Sequence, residues 1–219
     1  MPHQAQEGTG RMRLYLLVAC LLWSSDLSSA RAQANGEWKL LAREDGVTSW
    51  KQVSDRSVPI VKAQIEIDAP IDVVKRVIQD YRTHTKWMHK CVESTLLKQV
   101  SPTEAILYNR TDSPWPIRDR DVIFRFKLQA AGGDVVLAFE TEKSPTKPEV
   151  SGVIRMPRMD GFFRLTKLGD HKTRVVYQLD SDVGGSIPQW AVRDVLEKIP
   201  PETLLGLRKQ IAALAPTKS

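Results

Sequence analysis

The sequence predicts an α+β fold in which one curved antiparallel sheet is wrapped around a long C-terminal helix. Three observations favour it: strict apolar–polar alternation at 61–67 ahead of an amphipathic helix, a series of short alternating segments between 92 and 180, and a long amphipathic segment from 190 to 214. A run of strands followed by a helix is typical of α+β architecture. The 219 residues, 42% of them apolar and 26% charged, have an ordinary globular composition.

The first 34 residues are predicted to be a cleaved secretory signal peptide. Arg11 and Arg13 precede the apolar run 14–23, and the segment ends in an A-x-A pattern at 32–34. The apolar run is much shorter than the roughly 20 residues that a helix needs to span a bilayer. Residues 35–219 are therefore expected to form a single domain that is exported to the periplasm or secreted.

Cys20 offers a second possible cleavage position. The preceding Leu17-Val18-Ala19 fits the pattern at which bacterial lipoproteins are cleaved and acylated on the cysteine. The apolar run continues through Leu21-Leu22-Trp23, however, which does not suit the start of a mature lipoprotein. Anchoring through Cys20 is therefore a minor alternative. Cys20 and Cys91 are the two cysteines of the sequence, too few for a disulfide framework.

The first half of the domain is predicted to contain a short helix, two strands and a second helix. The short helix is expected at 38–42 and the strands at 47–51 and 61–67, the second of which has the half-buried antiparallel pattern. Asp68 is expected to cap the next helix, with Pro70 in its first turn. The core face of that helix is expected to comprise Ile71, Val73, Val74, Val77, Ile78 and Tyr81.

The second half is predicted to be an antiparallel meander followed by the C-terminal helix. The alternating segments lie at about 92–99, 104–110, 121–129, 134–142, 150–155, 161–168 and 173–180. Proline- and glycine-containing turns separate them. The helix is expected to begin near Trp190 and to be kinked or interrupted at Pro200-Pro201.

The sequence contains no motif of a common hydrolase, zinc peptidase or nucleotide-binding protein. His84, His89 and Cys91 lack the spacing of the usual metal-ligand sets, so the histidines are expected at the surface or in loops, and neither a metal nor a cofactor is expected. The net charge of +6 comes from basic residues scattered among acidic ones, which is not typical of a nucleic-acid-binding protein.

Five motifs, in order, resemble the START lipid-transfer domain in its short bacterial form. They are Asp80-Tyr81-Arg82 followed by Trp87, Pro114-Trp115-Pro116, Asp119-Arg120-Asp121, Ser151-Gly152-Val153-Ile154-Arg155, and Gly184-Gly185-Ser186-Ile187-Pro188-Gln189-Trp190. The resemblance covers about residues 36 to 210. It implies a helix-grip fold, in which a curved antiparallel sheet and a C-terminal helix enclose an apolar tunnel for one lipid or sterol-like molecule.

The resemblance also implies where the ligand lies and which segment moves. The residues expected at the tunnel and its lid are Arg82, Trp87, Tyr108, Arg110, Trp115, Phe124, Phe126, Phe139, Ile154, Tyr177, Trp190 and Val195. Gly184, Gly185 and Pro188 are expected to be the hinge of the lid. From the pattern alone, the aromatic residues fit a packed core as well as a pocket.

Strand alternation gives an expectation about the ligand's polarity. One face of the strand near 121–129 is expected to carry Val122, Phe124, Phe126 and Leu128. Several eukaryotic START domains have an arginine inside the tunnel at the position of Phe126, whereas Arg125 here should point outward, which favours an apolar ligand. Arg82 and Arg110 stay candidates for a phosphate or carboxylate. Arg120 is expected to be held in an ion pair within its own loop.

The predicted function is the non-catalytic binding and intermembrane transfer of a single lipid or another hydrophobic small molecule. Burial of acyl chains supplies affinity without a reactive group, and a basic surface favours transient contact with anionic membranes. A monomer that does not bind nucleic acid is expected. The alternative is a helix-grip enzyme of the cyclase or aromatase type acting on a hydrophobic substrate, and a third possibility is a ligand-sensing or assembly protein.

Overall fold

The computed structural model describes residues 36–53, 58–143, 147–192 and 197–214. The strands in this part of the chain are β1 (Trp38–Glu44), β2 (Val47–Gln52), β3 (Val61–Ile67), β4 (Cys91–Ser101), β5 (Glu104–Thr111), β6 (Arg120–Ala131), β7 (Asp134–Thr141), β8 (Ile154–Arg155), β9 (Arg158–Gly169) and β10 (Lys172–Asp182). The helices are α1 (Ile71–Gln79), α2 (His84–Trp87), α3 (Gln189–Ala191) and α4 (Ile199–Leu214), with a 3₁₀ turn at Tyr81–Thr83.

The strands form one curved sheet in the order β1-β2-β3-β10-β9-β7-β6-β5-β4. Neighbours along this path are antiparallel, and the long return from β3 to β10 places the first three strands beside the last one. The short β8 lies off the path and pairs in parallel with the start of β6, where Ile154 is opposite Arg120. The predicted meander is therefore confirmed, with β8 as its one parallel addition among the described strands.

Helix α4 packs against β2, β3 and β10 and against α1 and α2, so the sheet grips the helix on its concave side. Its buried residues are Pro200, Thr203, Leu204, Leu207 and Ile211. Gly206 allows the approach to α2, because a Cβ at this position would lie 2.1 Å from the carbonyl oxygen of Trp87. The helix-grip architecture predicted from the sequence is confirmed.

The two faces of the sheet carry different sets of buried residues. The main core lies on the concave face, where Phe124 and Phe126 of β6 meet Phe163 of β9 and Tyr177 of β10. A small cluster on the opposite face consists of Ile106, Tyr108 and Ile123. This division follows from the alternation of side chains along β5 and β6, and it determines which residues can reach the interior.

Three local predictions are wrong. Residues 38–42 form part of strand β1, because Asp45 and Gly46 both have positive φ (52° and 76°) and connect β1 to β2 in a two-residue hairpin. Asp68 does not cap α1: Pro70 occupies the cap position, and no side chain bonds to the helix start. The segment predicted at 150–155 is a strand only at β8.

The C-terminal helical region is divided into α3 and α4, as predicted. The two prolines lie at the start of α4 and do not kink a continuous helix. Pro200 and Pro201 lie in the first turn of α4, where the missing N–H groups have no helical partner to lose. The predicted signal peptide and Cys20 lie outside the described residues. Among the helices that the structure describes, none is long and apolar enough to cross a bilayer.

Candidate functional site

An apolar cavity lies between the concave face of the sheet and the C-terminal segment. Its walls come from β4, β5, β6 and β10, from Met156 and Met159, and from the segment that leads into α4, which contributes Ile187, Ala191 and Ile199. The cavity has a volume of about 80 Å³, and the space between its walls is about 850 Å³ when the solvent-facing mouth is included. The interior is therefore narrow in this conformation.

The cavity continues inward to an aromatic end. A second, smaller space shares Met88, Met159 and Tyr177 with the main cavity. Its remaining lining residues are Ile78, His84, Phe124, Phe126, Phe139 and Phe163. The rings of Phe163 and Tyr177, which pair across β9 and β10, stack with their centroids 4.2 Å apart and their planes 6° from parallel. This end offers apolar surface without a charged group.

The opposite part of the cavity contains polar side chains. Arg120 and Asn109 line it, and each is only 5% exposed. Arg120 donates a hydrogen bond from Nη1 to the carbonyl oxygen of Arg118, whereas its Nε has no partner; Oδ1 of Asn109 also has none. Burial and the nearby Arg118 lower the pKa of Arg120. No carboxylate is among the described residues that line the cavity.

The ionisable groups around the cavity other than Arg120 are shifted toward their neutral forms. Burial lowers the pKa of His84 and of His89, and it raises the pKa of the Cys91 thiol to about 11. Burial also raises the pKa of Tyr177. Arg120 is therefore the one formal charge that the described residues bring to the cavity wall at neutral pH.

His84 corrects a sequence prediction, because it is 3% exposed rather than at the surface. Nε2 of its ring lies 2.8 Å from the carbonyl oxygen of Ile78, to which it donates, and Nδ1 lies 3.4 Å from the hydroxyl of Ser94. Both ring nitrogens are thus engaged. Within the described ranges, no three side chains of the metal-binding types come together as a site.

The segment between β10 and α3 contains the two glycines that were predicted to form a hinge. Gly184 and Gly185 both have positive φ (63° and 65°), a region that side chains with a Cβ disfavour. A Cβ on Gly184 would also lie 3.0 Å from Cδ of Pro157, and one on Gly185 3.0 Å from Cδ1 of Ile154. Pro188 follows and accepts the first backbone bonds of α3.

The loop between β5 and β6 projects a large apolar side chain into solvent. Trp115 is 91% exposed and is joined to Pro116 by a cis peptide bond. Ile117, two residues further, lines the cavity. Trp190 in α3 is 44% exposed, and its neighbour Ala191 also lines the cavity. Each exposed tryptophan therefore lies next to a residue of the cavity wall.

The structure brings some of the predicted tunnel residues together. Four of them line the cavity or its aromatic end: Phe124, Phe126, Phe139 and Tyr177. Trp87 is buried beside this end, with its ring 6.2 Å from that of Phe163. Ile154 packs against the two hinge glycines. Val195 lies outside the described residues.

Three predicted tunnel residues lie elsewhere. Tyr108 is on the convex face, where its hydroxyl donates to Asp121 at 3.1 Å. Arg110 is on the same face of β5 and forms a 3.7 Å ion pair with Asp119. The side chain of Arg82 is 76% exposed. Strand alternation explains the first two corrections, since Leu107 and Asn109 have the inward positions of β5.

Arg120 was predicted to form an ion pair in its own loop, and this is wrong. None of the described carboxylates lies within ion-pair distance of it, since Asp119 pairs with Arg110. The signal was present in the sequence: Arg120 precedes Val122 and Phe124 by two and four residues, so it shares their inward face. Asn109, opposite Val122 on β5, was also missed.

A wider groove lies outside the sheet, between α1 and the end of α4. Its lining includes the charged residues Glu66, Arg76, Asp80 and Arg208, and its volume is about 720 Å³. The groove is open to solvent and lacks the aromatic end of the interior cavity. The interior cavity is therefore the site that combines apolar enclosure with a few convergent polar groups, which is typical of ligand-binding sites.

Comparison with known proteins decides the family. The model of the START domain family matches residues 24–216 of the sequence. The chain belongs to the START domain family. This START domain is 32% identical over 200 residues to an uncharacterised protein of Pseudomonas aeruginosa, covering 91% of this chain and 96% of the relative. The match to the family model begins inside the predicted signal peptide, whose end stays a prediction.

Named relatives and solved structures agree with the assignment. The START domain is 23% identical to the phosphatidylcholine transfer protein of Bos taurus, covering 74% of this chain and 78% of the relative. The crystal structure of a STAR-related lipid transfer protein from Xanthomonas axonopodis superposes with a TM-score of 0.72 at 28% identity, covering 80% of this chain and 98% of that one.

The predicted enzymatic alternative also has a structural neighbour. The Zhui aromatase/cyclase from Streptomyces superposes with a TM-score of 0.51 at 16% identity, over 70% of this chain and 93% of that chain. Similarity at this level of identity shows that the two proteins share a fold. It assigns no aromatase or cyclase chemistry to this START domain.

Proposed function

We propose that this protein binds a single lipid or similar hydrophobic molecule in its interior cavity and transfers it between membranes without changing it chemically. The observation that carries the proposal is the apolar cavity with an aromatic inner end, next to a C-terminal segment that follows two glycines with positive φ. Burial contributes about 0.8 kcal/mol for each CH₂ of an acyl chain, which is enough for affinity without a reactive group.

The hinge supplies the route by which a ligand enters. Since the interior is narrow in this conformation, an acyl chain requires the wall to widen. Ile187 and Ala191, which line the cavity, follow the two glycines with positive φ. Rotation about Gly184 and Gly185 would move this part of the wall while leaving the sheet in place.

The exposed tryptophans support contact with a membrane at the same part of the molecule. Trp115 and Trp190 are amphipathic side chains of the kind that is enriched at the level of lipid headgroups. Arg118, also exposed, adds positive charge to the Trp115 loop. Contact at this surface would bring the cavity mouth to the bilayer, so that a lipid could pass with little exposure to water.

The cavity offers little support for the enzymatic alternative. A cyclase or aromatase requires an acid and a base positioned on the substrate. His84 has both ring nitrogens engaged, and no carboxylate of the described cavity lining orients His89 as a base. A substrate that is recovered chemically changed after incubation with the protein would establish this alternative in place of transfer.

We also propose that the protein acts outside the cytoplasm, in the periplasm or after secretion. The support is the signal-like sequence of residues 1–34. Intact-mass measurement of the exported protein tests this directly. A mass that begins at residue 35 is expected, whereas a diacylated mass that begins at Cys20 would establish a lipoprotein, and a mass that includes Met1 would contradict export with cleavage.

The transfer proposal is tested with donor vesicles that contain a self-quenched fluorescent phospholipid and with unlabelled acceptor vesicles. The full chain should raise the rate of fluorescence recovery in proportion to its concentration. Val122→Phe, which adds volume to a cavity-lining position, should abolish this increase, whereas Val92→Phe, at a side chain 47% exposed, should not. Equal transfer by Val122→Phe and the unmodified protein would contradict transport through the cavity.

A further inference from the structure

We propose that Arg120 and Asn109 form a headgroup site within the cavity, and that this site binds an anionic phosphate or carboxylate group of the ligand. The inference rests on the proposed function, because it concerns the same cavity. It also moves the expected contact with a phosphate or carboxylate from Arg82 and Arg110, the candidates named from the sequence, to Arg120. The ligand class it specifies is an amphiphile with one anionic group and at least one long hydrocarbon chain.

The first argument is the environment of the Arg120 guanidinium. The residue is 5% exposed and lines the cavity, and none of the described carboxylates pairs with it. Its Nη1 donates a hydrogen bond to the carbonyl oxygen of Arg118, whereas its Nε has no partner. A buried cation without a counter-ion destabilises a fold, so an unexplained one indicates a site that a ligand completes.

The second argument is that the candidate counter-ions are engaged elsewhere. Asp119 forms an ion pair with Arg110 and accepts a hydrogen bond from the backbone N–H of Ser113. Asp121, on the convex face, accepts two hydrogen bonds from Arg155 at 2.6 and 3.1 Å. The anion that would satisfy Arg120 therefore has to come from the cavity side.

The third argument is that Asn109, near Arg120, also has a buried polar atom without a hydrogen-bond partner. Asn109 of β5 lies opposite Val122, and Thr111 of β5 lies opposite Arg120, so the two strands bring the three polar side chains to neighbouring inward positions. Oδ1 of Asn109 is buried and has no hydrogen-bond partner. It can accept from a hydroxyl of the same headgroup, such as a protonated phosphate or a glycerol hydroxyl, while Arg120 donates to the anionic oxygens.

The position of this pair sets the orientation of the ligand. Arg120 and Asn109 line the main cavity, and the aromatic end beyond Met88 and Tyr177 contains no charged side chain among its described lining. An amphiphile would therefore place its hydrocarbon chain toward Phe163 and its anionic group at Arg120. The Arg120 guanidinium then has a partner of opposite charge when a ligand is bound and none when the cavity is empty.

The test compares two pairs of lipids that differ only in the anionic group, each presented in cyclodextrin to the full chain. Dioleoyl phosphatidic acid is compared with dioleoylglycerol, and oleic acid with oleyl alcohol, by native mass spectrometry of the complexes. In at least one pair the anionic member should bind at least about 10-fold more tightly, which corresponds to about 1.4 kcal/mol. The pair with the larger preference identifies phosphate or carboxylate as the group recognised.

Matched variants assign the preference to Arg120. Arg120→Met should bring the two members of the preferred pair within about 3-fold of each other and should still bind the neutral one. Arg125→Met should keep the preference, because Arg125 lies on the opposite face of the same strand and pairs with Glu104 and Glu142. If Arg120→Met does not fold, Arg120→Gln is measured in its place.

The possible outcomes separate failure of the headgroup site from failure of the proposed lipid-transfer function. Equal binding within both lipid pairs by the unmodified protein would overturn the headgroup site and leave the lipid-transfer proposal standing. A preference that survives in both Arg120 variants would do the same. Failure to bind any of the four lipids would instead contradict the proposed function.

Discussion

Replacing Trp115 by alanine should weaken membrane binding and lipid transfer without changing the stability of the fold. The side chain is 91% exposed, so few native contacts are lost. Moving a large apolar side chain out of water contributes about 1.5–3 kcal/mol, and 1.4 kcal/mol corresponds to a factor of 10. We therefore expect the partition constant for anionic phospholipid vesicles to fall by about 10- to 100-fold, with a free energy of unfolding within about 0.5 kcal/mol of that of the unmodified protein.

Vesicle co-sedimentation and thermal unfolding measure the two quantities separately. Trp115→Phe should give an intermediate partition constant. Leu168→Ala is the control, because Leu168 is also exposed, at 39%, but lies at the opposite end of β10 from the segment that contains Trp190. Leu168 precedes the β9–β10 turn at the start of β10, whereas Gly184 and Gly185 follow the end of β10. Unchanged vesicle binding by Trp115→Ala would refute the membrane role of the loop, and a large drop in its melting temperature would show that the side chain supports the fold.

Three further predictions concern the hinge, the convex face and the buried histidine. Gly184→Ala should lower the melting temperature more than Gly132→Ala, because Gly132 has a similar φ of 60° but open space around it. Of the two variants, only Gly184→Ala should slow lipid transfer. Tyr108→Phe, which loses one buried hydrogen bond, should cost about 1 kcal/mol of stability and leave lipid uptake unchanged, in contrast to a tunnel residue. Because burial lowers the pKa of His84 below its unfolded value of 6.5, the unfolded state binds more protons below that pH. The free energy of unfolding should then fall with decreasing pH below about 6.5, and less steeply in His84→Gln; equal slopes in chemical denaturation would contradict this.

The fold could be predicted from the sequence because its strands alternate and its turns contain glycine and proline. The same alternation assigned Phe124 and Phe126 correctly to the interior and Arg125 to the exterior. The error at 38–42 arose because a five-residue segment with four apolar residues fits a short helix and a strand equally well. The adjoining Asp45-Gly46 pair, a typical hairpin turn, was the signal that distinguishes them.

The candidate site was harder to predict because it depends on pairing between strands. Tyr108 and Arg110 are among the residues expected at the tunnel, although alternation along β5 places them on the convex face. The isolation of Arg120 could not be read from the sequence, since Asp119 and Asp121 flank it there. Only the folded chain shows that each of these carboxylates is engaged by another arginine.

Native mass spectrometry of the protein purified from the cells that produce it tests the central claim most directly. The account predicts a complex with one lipid molecule for each chain, chemically unchanged when it is extracted and identified. The same measurement on Val122→Phe, in which the cavity is partly filled, should show the protein without lipid. A protein that is empty, and that also takes up no lipid from vesicles, would contradict the claim that this cavity carries a lipid.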